Sequence, residues 1–384
     1  MTIAAKTEHQ PDTPEAREYN RIRRRLSIAD FLLSLAFLGA LLIFGWSGDF
    51  RDLALQISGE GYILGLAVYV MLLALATKVV GIGLDYYSFR LEHRFRLSNQ
   101  RFGSWLWDET KGWLIGLVFG ILAAEVIYGF MRFSPQYWWV LCWAIFVLFF
   151  VLVAQLAPVL LFPLFYTFKP LENESLKERL VRLGERAGTH VRGVYEWKLS
   201  EKSKKANAAL TGLGKTRRII LADTLLQDYT DDEIEAVLAH ELGHHVHGHI
   251  YKSILVQAAI TFVGFWLADF VLRWSVGDRG WFATITDFAN LPLLALVSTG
   301  LSLLLLPALN AWSRHNERQA DRYSWKSVAG VEPYISAMNK LADQNLAERQ
   351  PSRFVEFWFH SHPPIAKRIA AARAWESKPA ADRR

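Results

Sequence analysis

Two histidines four residues apart, with a glutamate after the first, are the residues of this chain best equipped for chemistry: His240-Glu241-Leu242-Gly243-His244. On an α-helix, positions i and i+4 share a face, so both imidazoles can reach one metal while Glu241 is directed at a bound water. Zinc held in this way makes its water acidic enough for a neighbouring carboxylate to deprotonate. The chemistry implied is hydrolysis of a peptide bond by an activated water, with one Zn2+ per chain. The bland alternative is a solvated helix carrying incidental histidines.

The surrounding residues favour a helix. Thr230 and Glu233 have the spacing of a capping box, and Asp231 and Asp232 occupy the first turn, where the helix dipole favours negative charge. A hydrolytic zinc needs three protein ligands and an open position, so a third ligand must lie elsewhere. A longer motif ending in a third histidine fails, because His247 stands at its glycine position and Ile250 at its last histidine. Further on, Glu317 and Asp321 share a helix face by their spacing of four. Glu317 is the expected third ligand, and Asp321 the acceptor that fixes the tautomer of a ligating histidine. Spacing alone leaves open a charged helix making ordinary ion pairs. His245, His247, His249 and His315 are read as surface histidines. The single cysteine, Cys142, excludes an intrachain disulfide and a cysteine-based metal site, and reads as a small buried hydrophobe.

These residues sit in an apolar chain. Of 384 residues 52% are hydrophobic, with 15 Trp and 24 Phe, and the mean hydropathy is positive, so this is a polytopic membrane protein. Six spans are expected: Leu26 to Trp46, Gly61 to Leu84, Gly112 to Phe130, Tyr137 to about Tyr166, Ile254 to Val271, and Leu291 to Trp312. The first exceeds the apolar core of a cleaved signal and is followed by no small-residue cleavage site, so it reads as a signal anchor. Arg21, Arg23, Arg24 and Arg25 precede it, and Arg90, Arg94, Arg96, Arg101 and Lys111 follow the second span, whereas the alternate loops carry few cations. The positive-inside rule then puts both termini and His240–His244 in the cytoplasm. The basic balance is thus a topology signal, and nucleic acid is not an expected partner. Lys78, Glu125 and Asp269 fall within spans and should face a polar interior, pair with one another, or lie near span ends.

Five stretches follow: a cytoplasmic tail at 1–25; a membrane region with four spans at 26–166; a cytoplasmic peptidase domain with the His240–His244 helix at 167–250; two further spans at 251–312; and a C-terminal part at 313–384 supplying the third ligand. Pro158 and Pro163 should kink the fourth span and release the chain near Phe168. Leu171 to Gly188 has helical amphipathicity, Val191 to Trp197 reads as a strand, and Asn207–Thr211 and Arg217–Leu221 flank a turn at 212–215, giving a small hairpin-bearing sheet. The fold class is mainly α: about six transmembrane helices and a small cytoplasmic α/β peptidase domain.

The chain resembles the type I CAAX prenyl proteases and their bacterial relatives, integral-membrane zinc metallopeptidases of the M48 type. The resemblance rests on H-E-L-G-H at 240–244, E-x-x-A-D at 317–321, Asn207-Ala208 ahead of a glycine-bearing turn, and Ser361-His362-Pro363-Pro364 with Arg368 downstream. It implies helices enclosing a large chamber with the zinc facing inward near the cytosolic side. It implies that a substrate peptide pairs with the segment at Asn207 and Ala208, that His362 steadies the oxyanion, and that Arg368 organises its loop through an acidic partner. Two differences stand out: eukaryotic members have seven spans against six here, and His245 replaces an aromatic residue common after the second histidine.

The implied activity is that of a zinc metalloendopeptidase removing the last three residues of prenylated C-a-a-X proteins, in the bacterial inner membrane or the endoplasmic reticulum, with peptide or protein substrate and membrane lipid as partners. A related bacterial branch would instead make it a membrane-protein quality-control protease. From a different class, the histidines at 244–249 between spans suggest a non-enzymatic zinc transporter or sensor; such a protein would carry histidines within its spans, and this one has none.

Overall fold

Long apolar runs in this chain become long helices, because in hydrocarbon a helix satisfies every backbone donor and acceptor internally. The computed structural model describes residues 11–212 and 214–379. Residues 1–10 of the expected tail, Leu213 of the expected turn and residues 380–384 lie outside the described residues. In chain order the membrane part has α1 (Pro14–Ile43), a short α2 (Trp46–Ser58), α3 (Tyr62–Arg94), α4 (Phe102–Phe133) and α5 (Trp138–Leu160). The polar part follows with β1 (Phe168–Pro170), α6 (Glu174–Arg186), β2 (Gly193–Trp197), β3 (Ala208–Thr211), β4 (Arg218–Ala222), α7 (Asp223–Asp228) and α8 (Asp231–Val246). Two more apolar helices, α9 (His249–Gly277) and α10 (Leu291–Ser327), lead into α11 (Glu332–Gln344), α12 (Arg353–Phe359) and α13 (Ile365–Glu376).

Six helices are long and apolar enough to cross a membrane, as expected: α1, α3, α4, α5 with its short 3-10 extension, α9, and α10 with the turn before it. They pack as a closed ring in which α1 touches α3, α3 touches α4, α4 touches α5, α5 touches α9, α9 touches α10, and α10 returns to α1. Among the described residues no pair across the ring makes more than marginal contact. With neighbouring axes about 10 Å apart, a ring of six leaves a central space roughly one helix wide. A cavity of about 530 Å³ is lined by Ser34 of α1, Thr77 and Lys78 of α3, and Gly116 of α4. Three consecutive members of a ring converge only on its inner side, so this cavity belongs to the inner wall. Lys78 donates there to Asp85 (2.7 Å) and Glu109 (2.6 Å). Asp269 accepts from Trp138 Nε1 (2.6 Å) and Arg273 (2.9 Å), whereas Glu125 Oε1 is buried without a partner among the described residues.

Five helices, α1, α3, α4, α9 and α10, outrun their expected spans. α1 begins at Pro14, capped by Thr13, so part of the expected tail is helical and docks on the polar part, with Asn20 donating to the Leu346 carbonyl (2.7 Å). α10 continues past Trp312 to Ser327 without a break, carrying Glu317 and Asp321 on the end of a membrane helix.

In the polar part the sheet order is β1-β2-β4-β3, with β2 parallel to β4 and the other pairs antiparallel. The hairpin expected from residues 207–221 is β3 and β4; β1 was not expected, three residues being too short to show alternation. Leu180 and Leu183 of α6, Ile219 and Leu221 of β4, and Leu238 and Leu242 of α8 form one buried core. α8 is thereby clamped between the sheet side and α10.

Candidate metal centre

α8 starts where the sequence says it should. Thr230 and Glu233 form both bonds of the capping box, which fixes the helix phase and puts His240 and His244 on the face toward α10. Glu317 arrives on that face, and His240, His244 and Glu317 each offer a donor atom to one point. His240 Nε2 lies 3.2 Å from Glu317 Oε2, His244 Nε2 lies 3.3 Å from Glu317 Oε1, and the two Nε2 atoms are 3.3 Å apart. A tetrahedral site with arms of about 2.0–2.1 Å has edges of about 3.3 Å. The donor set, two imidazoles and a carboxylate, fits zinc.

The outer nitrogens of both rings explain why the inner ones are free. His240 Nδ1 donates to Asp321 Oδ1 (2.8 Å), leaving a lone pair on Nε2. His249 Nε2 donates to Gln319 Oε1 (2.9 Å), so His249 Nδ1 is an acceptor and takes the proton on His244 Nδ1 (2.9 Å). Each ring therefore carries its proton away from Glu317. This corrects the surface reading of His249, which is 4% exposed. The reason is a break in the helix: Gly248 in the left-handed region (φ +65°) separates α8 from α9 and sets His249 against His244. His245 and His247 are half-buried rather than on the surface; His245 Nε2 accepts from the buried Arg217 (2.8 Å) and His247 stacks on His249. His315 is exposed, as expected.

The approach of α10 to α8 depends on Gly243. A Cβ there would lie 2.7 Å from Ala320 Cα and 3.0 Å from its carbonyl oxygen, and Ser324 Oγ donates to the Ala236 carbonyl (2.7 Å) at the same crossing. Farther up one face of α10, Asn310 donates to the Trp358 carbonyl (2.9 Å), and Arg314 to those of Glu356 (3.0 Å) and His360 (2.6 Å). These bonds hold the end of α12 and the turn after it, where His362 brings Nε2 to 3.3 Å from Glu317 Oε1. Arg368 forks onto Asp321 (2.6 and 3.0 Å) and donates to Tyr334 Oη (3.1 Å). The sequence reading missed Gly243, His249, Asn310 and Arg314. A spacing of 310, 314, 317 and 321 along one helix face was the signal available for the last two.

Glu241 faces the same space. Burial raises its carboxyl above the usual range, against the pull of His240 and His244. The His362 side chain is 62% exposed, open to a reactant. Asn207 precedes β3 and Ala208 is its first residue; among the described residues β3 is an edge strand bonded to β4 on one side only.

A family model described as peptidase family M48 matches residues 170–376, and one described as CAAX prenyl protease N-terminal, five membrane helices, matches residues 4–167. The second range holds α1–α5, of which α2, with 13 residues, spans only about 20 Å and cannot cross a bilayer. The chain is similar to the Uncharacterized metalloprotease YhfN of Bacillus subtilis, with 31% identity over 314 residues, covering 81% of this chain and 74% of the relative. It is similar to CAAX prenyl protease 1 of Saccharomyces cerevisiae, with 28% identity over 324 residues, covering 79% and 71%. Among solved structures it is similar to S. mikatae Ste24p, with a TM-score of 0.83 and 25% identity over 93% of this chain and 88% of that one.

Proposed function

We propose, on the premise that this chain belongs to peptidase family M48 and is a multi-pass membrane metalloprotease, that His240, His244 and Glu317 hold a catalytic zinc and that the substrate is a C-terminal C-a-a-X peptide bearing an isoprenyl thioether. The observation that carries this reading is the convergence of two imidazole lone pairs and one carboxylate beside Glu241.

Zinc bound there supplies Lewis-acid polarisation of the scissile carbonyl and of the attacking water. Glu241 accepts the proton of that water and delivers it to the leaving amine. His362 donates to the oxyanion, a task met by a donor fixed in place before the reaction. Asp321, held by Arg368, keeps the His240 proton on Nδ1, and His249 does the same for His244. The peptide adds as a strand to the free edge of β3 at Asn207 and Ala208. The space inside the helix ring accommodates the lipid, and the lysine and arginine bias of the loops puts the site on the cytoplasmic side.

The test compares farnesylated and unmodified C-a-a-X peptides, using detergent-purified wild type and Glu241→Gln with product masses as the readout. Release of the last three residues from the farnesylated peptide, lowered by roughly 10²–10⁴-fold in Glu241→Gln, is the expected result. Lipid-independent cuts at several sites would replace the prenyl substrate by a broader set of membrane proteins. Cleavage unaffected by Glu241→Gln would remove the catalytic assignment.

A further inference from the structure

On the far side of Asp321 from the metal donors, α10 and α13 enclose a cleft of about 510 Å³ that the peptidase reaction leaves unused. Its walls carry six cationic side chains against two carboxylates, Asp321 and Glu356. Both carboxylates are engaged: Asp321 with Arg368 and His240, Glu356 with Lys367 (2.5 Å). Arg318, Arg322 and Lys326 follow at intervals of four along one face of α10, all exposed, and their side chains make no hydrogen bond or ion pair among the described residues. Like charges at this spacing repel one another, so the row is held at a cost that a bound anion would remove. The positive-inside rule accounts for cations near a span end. It does not account for a concave arrangement, nor for a second feature of the wall. Trp325 is 5% exposed, lines the cleft, and has a buried Nε1 with no acceptor among the described residues.

We propose that this cleft binds a phosphate-bearing anion. A single carboxylate would leave most of the excess charge unmatched, whereas a phosphate presents several acceptor oxygens to the guanidinium forks of Arg318 and Arg322. The phosphate can come from a lipid headgroup at the membrane surface, since Arg318 is six residues beyond Trp312, or from a soluble compound.

The experiment uses the full-length, zinc-loaded protein in detergent with two probes: inorganic phosphate, by titration calorimetry, and phosphatidic acid in mixed micelles, by retention in native mass spectrometry. Wild type is compared with Arg322→Glu/Lys326→Glu and with Arg322→Gln/Lys326→Gln, the second in case charge reversal impairs folding. Neither residue touches the metal donors, so peptide hydrolysis serves as the check on the fold. Weakening by about tenfold or more in the variants for phosphate alone identifies a soluble ligand, and for phosphatidic acid alone a headgroup. Both outcomes support the site. Absence of binding by wild type, or equal binding by wild type and variants, overturns it.

Discussion

The helix ring and the peptidase part are built on opposite packing rules. In the ring, between 0 and 22% of the residues in each apolar window are buried within the protein; each span leans on two neighbours and presents its remaining surface to lipid or to the central space. In α8 the stretch from Glu233 to Gly243 is buried almost throughout, and both metal-facing imidazoles have a partner for the outer nitrogen. The difference teaches where precision is needed. A ring of spans tolerates slack, whereas placing three donor atoms about 3.3 Å apart requires a close-packed interior. The continuous α10 connects the two regimes, with exposed leucines in its apolar half and Glu317 in its polar half.

Gly243→Ala should break this contrast most severely. The added Cβ meets backbone atoms of Ala320 rather than a flexible side-chain tip, so α10 must retreat and take Glu317 and Asp321 with it. Overpacking of this kind costs about 1–3 kcal/mol. Both the melting temperature and the zinc content of the purified protein should fall. Retention of full zinc content by a destabilised variant would show that the α8–α10 distance does not set the site.

His249→Phe ranks next, because it removes the acceptor for the His244 Nδ1 proton while keeping a ring beneath it. Loss of an outer-shell partner of this type weakens metal affinity by about 10–100-fold, measurable by competition with a chromogenic chelator. Thermal stability of the zinc-saturated protein should change far less than in Gly243→Ala.

Much of the fold and site was legible because its signals were local. The capping box, the i, i+4 pairs at 240/244 and 317/321 and the six apolar runs all lie within single elements, and all appear where expected. The burial of His249 was not legible because it results from a helix break at Gly248 that no periodicity announces. Gly243 is likewise silent in sequence: a glycine at a helix crossing is recognised only once the partner helix is known. The ring order is not readable either, since α1 and α10, 277 positions apart at their first residues, become neighbours only on closure.

On the ring side, Gly116→Leu should separate enclosure from chemistry. Gly116 lines the inner-wall cavity and a Cβ there meets nothing within 4 Å, so the side chain has room to enter the central space. Zinc content and melting temperature should stay at wild-type values, while KM for a farnesylated peptide rises and kcat is little changed. A uniform several-fold rise is expected for loss of binding shared by ground and transition states. An equal KM rise for the unmodified peptide would mean that the wall contacts the peptide and not its lipid.

The smallest effect expected is a pH dependence confined to the peptidase part. Glu233 is buried in the capping box, where Oε2 accepts from Thr230 N (2.8 Å) and Lys340 Nζ (2.7 Å) and Oε1 from Ser336 Oγ (2.5 Å). Burial alone would raise its carboxyl, but the bonds from Lys340, Ser336 and Thr230 outweigh it and hold the group below the usual carboxylate range. The folded form thus releases its proton more readily than the unfolded chain, whose glutamates titrate near about 4.3. Between the two values the unfolded state binds more protons, so stability rises with pH there. The Glu233 contribution is fully present above the unfolded value and disappears as pH falls through the folded one. The melting-temperature gap between wild type and Glu233→Gln should therefore be constant from neutral pH down to about 5 and close below about 4. Glutamine keeps an acceptor for the Thr230 N–H, so the loss of charge facing Lys340 sets the neutral-pH gap, at about 0.2–1 kcal/mol. A gap that persisted unchanged into acid would mean the glutamine is penalised for shape rather than charge. No gap at any pH would mean that the ring unfolds first and the peptidase part does not limit the stability measured.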